Sequence, residues 1–467
     1  MNFPLTGRAG KIAYAIGSIG DTGFYQVITA FLLFFLIETV HLDSLLAGLA
    51  YALAFGAWNA INDPIIGVLS DRTRTRLGRR RPWIITGAPL TFLFFILLWS
   101  VPTGGKSLAN PYDIGIFFYI LIILAGWAWT YSMCAVTWFA LYPEMWESVE
   151  DRTEVVVYRQ LLAIIGGALA VAVFPILLDS MSKKFGGFNG WIVSAGIVGI
   201  IFAGSYLLSL LGIKERKEFS MEKTLSIVES LKLTFTNKTL LTYAGMDLMT
   251  WCMTGWLSAT MPFFATHSLH VNLADVSLLL APSMVGIMAF FPIWRKFYLK
   301  YGPKVTLGAA SIWFAIAFLP CLLVQNILQA SLWAFSVGAG MSGVVVAREV
   351  MMGDVVDEDE VRTGYRREGS YFGAFMAIEK LSFVIVGLST TFLLSTLIGY
   401  VPGKPEPSFM NFGLRIGMTI FTAIYVGVLL IFLGFYPLGK KEVDSLRKKI
   451  EKIHAEKAKK LRENREN

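Results

Sequence analysis

The chain has 467 residues, of which 55% are hydrophobic and 16% are charged, and its mean hydropathy is +0.59. Soluble domains carry about 25% charged residues, so this composition excludes a soluble globular protein and is typical of a membrane protein. The net charge of +8 acquires a meaning only from the positions of the basic residues. The three cysteines, Cys134, Cys252 and Cys321, lie in apolar stretches and are odd in number, so they predict packing residues and no disulfide framework.

Twelve apolar stretches follow one another along the chain. A helix needs about 20 mainly apolar residues to cross the hydrocarbon layer, so each stretch predicts one membrane-spanning helix. The predicted helices cover residues 12–40, 44–70, 83–102, 112–142, 154–180, 188–213, 238–266, 273–294, 305–324, 326–352, 370–400 and 413–437. The first stretch is too long for a signal-peptide core and lacks a cleavage pattern, so we expect it to be retained. The predicted fold class is all-α integral membrane.

Lysine and arginine are concentrated in alternate loops and in the C-terminal tail. With the N-terminus in the cytoplasm, most of the 41 basic residues fall in cytoplasmic segments. The positive-inside rule then predicts a multi-pass protein of the cell (inner) membrane with both termini in the cytoplasm. The basic residues serve as topology signals and contacts to lipid headgroups, and no nucleic-acid partner is expected.

The predicted helices form two sets of six. Residues 1–213 make an N-terminal half, 214–237 a cytoplasmic central loop, 238–437 a C-terminal half and 438–467 a basic cytoplasmic tail that predicts a solvated or surface-lying helix. The halves echo one another, because Glu144 precedes Arg152 by the same spacing by which Asp354 precedes Arg362. Paired halves around a central solute site, which rock to give alternating access, are a recurring plan of membrane carriers.

Several ionisable side chains inside the apolar stretches are candidates for a function. Burying such a group in hydrocarbon costs several kcal/mol, so each is expected to face a cavity or a partner. They are Asp21, Asp63, Arg159, Asp247, Glu379 and Lys380. The alternative is a structural ion pair between helices, which is most favoured for Asp247 and Glu379.

The second helix carries three oxygen-bearing side chains before Pro64. Asn59 and Asp63 are one turn apart and share a face, with Asn62 beside them. Oxygen ligands on one face can hold a small hard cation or a proton. The alternative is an amide–carboxylate hydrogen bond across a helix contact.

A charged run from Asp71 to Trp83 follows the second helix. Together with the echoed motifs it predicts an ion-paired cytoplasmic gate, in which Asp71, Glu144 and Asp354 exchange pairs with Arg72, Arg152 and Arg362. The alternative is that these charges set orientation alone.

Aromatic residues crowd the fourth helix at Trp127, Trp129, Tyr131, Trp138 and Phe139. Sugar rings stack on such side chains, but aromatics that face lipid are equally common. No soluble-enzyme motif is present, and the four histidines make no metal-binding spacing, so no cofactor, metal or enzyme activity is expected.

The sequence resembles the glycoside-pentoside-hexuronide cation symporters, the melibiose permease group of the major facilitator superfamily. The resemblance rests on Asn59 to Pro64 with the Asp71 to Trp83 run, Tyr131 to Phe139 with Leu141 to Glu144, Tyr158-Arg159, the Asp354 to Gly369 loop and Lys380. It implies twelve helices in two pseudo-symmetric halves and a solute site at the family's first-helix aspartate, fifth-helix arginine and eleventh-helix lysine, here Asp21, Arg159 and Lys380. Tyr131 and Trp138, in the matching part of the fourth helix, are assigned to the same site.

The sequence departs from the permease pattern at two aspartates, which are replaced by Asn59 and Ala135. The loss at Ala135 removes an acceptor for sugar hydroxyls and argues against melibiose itself. The excess of Arg159 and Lys380 over Asp21 suits an anionic or differently shaped sugar. Ser132 replaces a family threonine whose hydroxyl borders the cation site.

The coupling ion is either sodium or a proton. Asp63, Asn59 and Ser132 can jointly supply oxygen ligands for sodium, though with one charge fewer than the permease pattern. A lone desolvated carboxylate takes up a proton readily near neutral pH. We therefore expect proton coupling in preference to sodium.

The predicted function is cation-coupled symport of a sugar or glycoside, anionic and uronide-like solutes included, by a protein that acts as a monomer. A lysophospholipid symporter of the same fold is the main alternative, and it would need an apolar side portal to the cavity. The third candidate function is an integral-membrane transferase, which would need clustered acids for a metal site. The one cluster that qualifies is Asp354, Asp357, Glu358, Asp359 and Glu360.

Overall fold

Long helices joined by short connections make up the protein. The computed structural model describes residues 7–103, 113–146, 149–215, 237–363 and 368–450. Within these residues the spanning helices are α1 Gly7–Thr39, α2 Ser44–Ser70, α3 Arg81–Trp99, α4 Ile114–Tyr142, α5 Glu154–Phe185, α6 Gly187–Gly212, α7 Lys238–Phe263, α8 Ala274–Tyr301, α9 Pro303–Leu322, α10 Ile327–Arg362, α11 Ile378–Ile398 and α12 Met410–Phe435. The predicted all-α fold with six helices on each side of the central loop is confirmed.

Eleven of these helices are long and apolar enough to cross a membrane by length and composition. The twelfth is α7, which has 26 residues and is made less apolar by its threonines and Asp247. Most of its residues are buried against other helices. Because its polar side chains face protein and not lipid, its lower hydropathy is compatible with a central position in the bundle.

Two predicted helix ends are wrong. The eighth and tenth helices continue beyond residues 294 and 352 and end at Tyr301 and Thr363. The apolar run marks where a helix leaves hydrocarbon, whereas the backbone hydrogen bonds continue into the charged sequence beyond it. The segment that starts at Asp354 is therefore helical as far as Thr363, where the sequence predicted a loop.

The ends of α1 and α7 have the same irregular geometry. A π-helical turn covers Phe35–Thr39 at the end of α1 and Phe264–Ser268 after α7. Two residues past each turn a histidine has a left-handed backbone, with φ of 60° at His41 and 52° at His270. Such a conformation is uncommon for residues other than glycine. Its recurrence at corresponding helices indicates that the two halves repeat one backbone plan.

The halves meet along three helix pairs, α1 with α7, α2 with α11 and α5 with α8. We call the end of the bundle at which α1 and α7 begin the terminal end, and the other the opposite end. At the opposite end Thr391 Oγ1 donates a 2.8 Å hydrogen bond to the Ser44 carbonyl. A Cβ on Gly48 would overlap Thr391 Oγ1 and would lie 2.9 Å from the Gly387 carbonyl oxygen. The bundle is therefore closed between α2 and α11 at this end.

Gly48→Val is expected to hold the opposite end open, because the closed packing leaves no space for a side chain while separation of α2 from α11 removes the clash. Overpacking costs about 1 to 3 kcal/mol, enough to shift a balanced equilibrium by about one to two orders of magnitude. The measurement is the rate of thiol labelling of Tyr51→Cys, because Tyr51 is buried against Gly387 in the closed bundle. Gly204→Val is the matched control, because a Cβ there meets no atom within 4 Å. Equal labelling rates with and without Gly48→Val would contradict the expectation.

Candidate functional site

Asp21 lies midway along α1 and accepts two hydrogen bonds from tyrosines. Tyr131 Oη donates to its Oδ1 at 2.8 Å, and Tyr206 Oη donates to the same atom at 2.9 Å. Tyr131 on α4 was predicted at this site. Tyr206 on α6 was not, because a single tyrosine in an apolar stretch gives no signal that separates it from a packing residue. The two hydroxyls fix the carboxylate and compensate part of its desolvation.

Arg159 on α5 lies among aromatic rings of α4. Its guanidinium is 4.8 Å from the Trp138 ring centroid, 4.4 Å from that of Phe139 and 5.7 Å from that of Tyr142. Such stacking orients the planar guanidinium without satisfying its N–H groups. Within the described part of the chain its buried Nε has no hydrogen-bond partner. Arg159 therefore retains donor capacity for a bound group.

Trp138, the other predicted aromatic, is fully buried. Its ring stacks on Tyr14 at 4.9 Å, and its indole N–H donates to the Tyr14 carbonyl at 3.2 Å. With this N–H already used, Trp138 acts here as the platform that supports Arg159. The prediction that Trp138 itself contacts the solute stays a prediction.

Lys380 is buried on α11, in the C-terminal half. Its Nζ is 5.4 Å from the ring centroid of Tyr25 on α1. Both Lys380 and Arg159 interact electrostatically with the Asp21 carboxylate, and Lys380 also interacts with Asp63. That Asp21, Arg159 and Lys380, with one cation from each half, form one solute site stays a prediction.

The predicted cation residues form one cluster between α2 and α4. Ser132 Oγ lies 3.3 Å from Asn59 Oδ1 and 2.9 Å from Asn62 Oδ1, and it donates a short hydrogen bond to Asp63 Oδ1. Asn59, Asn62 and Ser132 are buried, and the amide Nδ2 atoms of both asparagines have no partner among the described residues. A hydroxyl has one proton to donate, so it cannot satisfy three acceptor oxygens. We name these four residues the oxygen cluster.

Half of the predicted gate falls on side chains outside the described residues, namely those of Asp71, Glu144 and Arg152. Arg72 is exposed at the terminal end, where it is the last helical residue of the segment that continues α2. The predicted pairs between these four residues therefore stay predictions.

The other part of the predicted gate is described, at the end of α10. Asp354 is buried, accepts a 3.1 Å hydrogen bond from Tyr298 Oη and lies 3.8 Å from an Nη atom of Arg447. Arg447 belongs to a helical tail segment, residues 440–450, that packs against the C-terminal half. Arg362 pairs with Asp359 at 3.4 Å. These two pairs thus join α10 to the tail and to itself, and neither reaches the N-terminal half.

A cluster that the sequence did not indicate joins the two halves at the opposite end. His267 Nε2 lies 3.1 Å from Glu38 Oε1, and His267 Nδ1 lies 2.9 Å from Glu406 Oε1. Tyr400 Oη donates to Glu38 at 2.9 Å. Glu38 belongs to the N-terminal half and the other three residues to the C-terminal half, so these contacts add to the closure by α2 and α11. Nothing in a single sequence connects residues so far apart.

The remaining ionisable residues of the interior lie in the C-terminal half. Arg348 Nη1 is 3.3 Å from Asp247 Oδ1, and Arg348 also pairs with Glu349. This pair fits the structural alternative that the sequence favoured for Asp247. Glu379 lies where its carboxylate interacts with Lys380, Asp247 and Arg348.

Comparison with known proteins shows that this chain is similar to membrane carriers. A family model described as MFS/sugar transport protein matches residues 13–440. An uncharacterized symporter of Synechocystis sp. is 25% identical, with 94% of this chain and 96% of that protein covered. Sodium-dependent lysophosphatidylcholine symporter 1 of Gallus gallus is 24% identical, with 96% of this chain and 89% of that protein covered.

Solved structures agree at the level of the fold. A crystal structure of a mutant of the nucleoside transporter NupG has a TM-score of 0.67 and 12% sequence identity, with 92% of this chain and 100% of that chain covered. At this identity the likeness shows the fold alone.

Proposed function

The chain belongs to the MFS/sugar transport protein family, and we propose that it is a sodium-coupled symporter of an anionic sugar derivative. The family and its structural neighbours are transporters of the major facilitator superfamily, so the chain is a multi-pass membrane protein that carries out cation-coupled secondary transport and is not an enzyme. The acids from Asp354 to Glu360 therefore need no catalytic role. The proposal includes a sugar as the solute, sodium as the coupling ion and the cell (inner) membrane as the location. It also includes membership of the glycoside-pentoside-hexuronide group.

One observation supports an anionic solute most directly. Arg159 and Lys380 interact with one carboxylate, Asp21, which is already held by two tyrosine hydroxyls. Within the described residues neither Arg159 nor Lys380 forms an ion pair, so each can pair with a carboxylate or phosphate group of the solute. The aromatic rings around Arg159 exclude water and leave its Nε for that group.

The oxygen cluster supports sodium over the proton that the sequence favoured. A hard cation takes oxygen ligands, and Asp63 supplies the negative charge that the amide and hydroxyl oxygens lack. A proton needs only Asp63, so proton coupling does not explain why the asparagine oxygens converge on Ser132. In the ion-free state the asparagine amides can turn so that their N–H groups donate to Asp63 and Ser132. The same four residues then serve both loaded and empty states.

Alternating access requires an orientation in the membrane. We place the terminal end in the cytoplasm of the cell (inner) membrane, because the basic loops and tail are on that side. The closed opposite end is then the outer end, where Glu38 and His267 must separate for the solute to enter. The residues predicted at the cytoplasmic gate close the terminal end in the alternate state.

A lysophospholipid is the second candidate solute. The relative from Gallus gallus is a sodium-dependent lysophosphatidylcholine symporter that aligns over 96% of this chain. A phosphodiester can pair with Arg159 or Lys380 as well as a carboxylate can.

Competition binding separates the candidates. Purified protein in detergent is titrated with glucuronides, neutral glycosides and lysophosphatidylcholine, each with and without sodium. We expect glucuronides to bind, neutral glycosides of the same size to bind at least about ten-fold more weakly, and sodium to tighten binding. Binding of lysophosphatidylcholine alone would assign the second candidate, and equal binding of neutral and anionic glycosides would overturn the role given to Arg159 and Lys380.

A further inference from the structure

A second arginine stacked on a tryptophan lies in the C-terminal half. The Arg348 guanidinium on α10 is 4.9 Å from the ring centroid of Trp251 on α7. The corresponding distance between Arg159 and Trp138 is 4.8 Å. Both halves therefore present the same pair of groups to the interior, although no sequence pattern gave the second pair a role.

The two pairs differ in their charge balance. Arg348 lies 3.3 Å from Asp247 and also pairs with Glu349. Arg159 contacts aromatic rings and shares the single carboxylate of Asp21 with Lys380. Because two carboxylates neutralise Arg348, its charge is not available to pair with an anionic group of the solute.

Three buried donors line the C-terminal side of the interior. Within the described residues, Arg348 Nε, Trp251 Nε1 and Tyr25 Oη have no hydrogen-bond partner. Buried polar groups in folded proteins are paired in most cases, by protein, water or ligand. Three unpaired donors on neighbouring side chains therefore indicate a surface that binds acceptor oxygens.

This surface continues from the proposed solute site. Lys380 Nζ is 5.4 Å from the Tyr25 ring centroid, and the Tyr25 and Trp251 ring centroids are 6.5 Å apart. The Trp251 ring is in turn stacked by Arg348. A solute whose charged group lies at Lys380 and Arg159 can therefore extend along Tyr25 to Trp251 without leaving the interior.

We propose that Trp251 and Arg348 form a second subsite, which binds the uncharged oxygens of the solute while its anionic group lies at Arg159 and Lys380. The position of the anionic group rests on the proposed function. Hydroxyl and carbonyl oxygens accept hydrogen bonds from Trp251 Nε1 and Arg348 Nε, and the indole face packs against an apolar ring face. The solute thus has two parts, one charged and one uncharged and polar.

The test measures dissociation constants of two probes, glucuronic acid and a two-ring aldobiouronic acid, in the parental protein and in Trp251→Phe. This change keeps an aromatic ring under Arg348 and removes the N–H group together with the rest of the five-membered ring. The variant is expected to bind the two-ring probe about five-fold more weakly and glucuronic acid as the parent does. Arg348→Gln is expected to weaken the two-ring probe about ten-fold.

Trp256→Phe is the matched control on the same helix, because the Trp256 indole N–H already donates to the Met418 carbonyl at 3.2 Å. It should lower Tm without changing either dissociation constant, whereas Trp251→Phe should leave Tm near the parental value. Equal binding of the two-ring probe by parent and Trp251→Phe would overturn the subsite.

If the parent binds lysophosphatidylcholine and neither uronide, the sugar proposal fails separately. The same variant is then measured with that lipid, whose glycerol hydroxyl and ester carbonyl are the uncharged oxygens, and unchanged affinity would again overturn the subsite.

Discussion

Neutralising Arg159 or Lys380 is expected to abolish solute binding while leaving a folded protein in the membrane. Each cation comes from a different half and acts on Asp21, so each holds the anionic group from one side. Removing one partner of a buried charge pair costs about 2 to 5 kcal/mol, which is at least about 30-fold in Kd. The measurement is the Kd of a glucuronide for purified Arg159→Gln and Lys380→Gln, with folding checked by size-exclusion chromatography and thermal unfolding.

Two further variants define the cause of that loss. Lys183→Gln removes a positive charge from the same helix as Arg159, but from a side chain that is 73% exposed and paired with Asp179. It should leave the Kd unchanged. Arg159→Lys keeps the charge but loses the planar fork that stacks on Phe139, so it should recover only part of the affinity. Parental affinity in both neutralised variants would refute the assignment of the solute site.

The positions of the helices and of the interior charges could be predicted because both follow from the cost of polar groups in hydrocarbon. Each apolar run must be long enough to cross the hydrocarbon layer, and charged residues such as Asp21 and Lys380 are easily recognised within these runs because they are rare there. The ends of the eighth and tenth helices could not be placed, because a helix that continues into water no longer needs apolar residues. Tyr301 and Thr363 lie in such extensions.

Contacts between distant helices were beyond the reach of a single sequence. Tyr206 donates to Asp21 across 185 positions of the chain, and Tyr400 donates to Glu38 across 362. A tyrosine in an apolar stretch is equally suited to packing, and its partner is set by how helices rotate against one another. Asn59, Asn62 and Asp63 were recognised together because helical spacing alone places them near one another.

Asp63→Asn is expected to abolish sodium-dependent, concentrative uptake of the solute in proteoliposomes. Asp63 is the charged member of the oxygen cluster, and its loss leaves only neutral oxygens around Ser132. Solute exchange without a gradient should persist, because the solute site at Arg159 and Lys380 is separate. Ser132→Ala keeps the charge and removes one ligand, so it should weaken sodium binding about ten-fold without abolishing coupling.

Thermodynamic linkage fixes the direction in which the dissociation constants of the parental protein change. If sodium is the coupling ion, the Kd of the solute falls as sodium rises at constant pH, and the solute lowers the Kd of sodium by the same factor. Ser205→Ala, which removes a buried hydroxyl bonded only to the Phe202 carbonyl among the described residues, should leave both constants unchanged. If the Kd of the solute changes with pH and not with the sodium concentration, the coupling ion is a proton that binds at the same carboxylate. Uphill uptake retained in Asp63→Asn would remove the oxygen cluster from the coupling mechanism altogether.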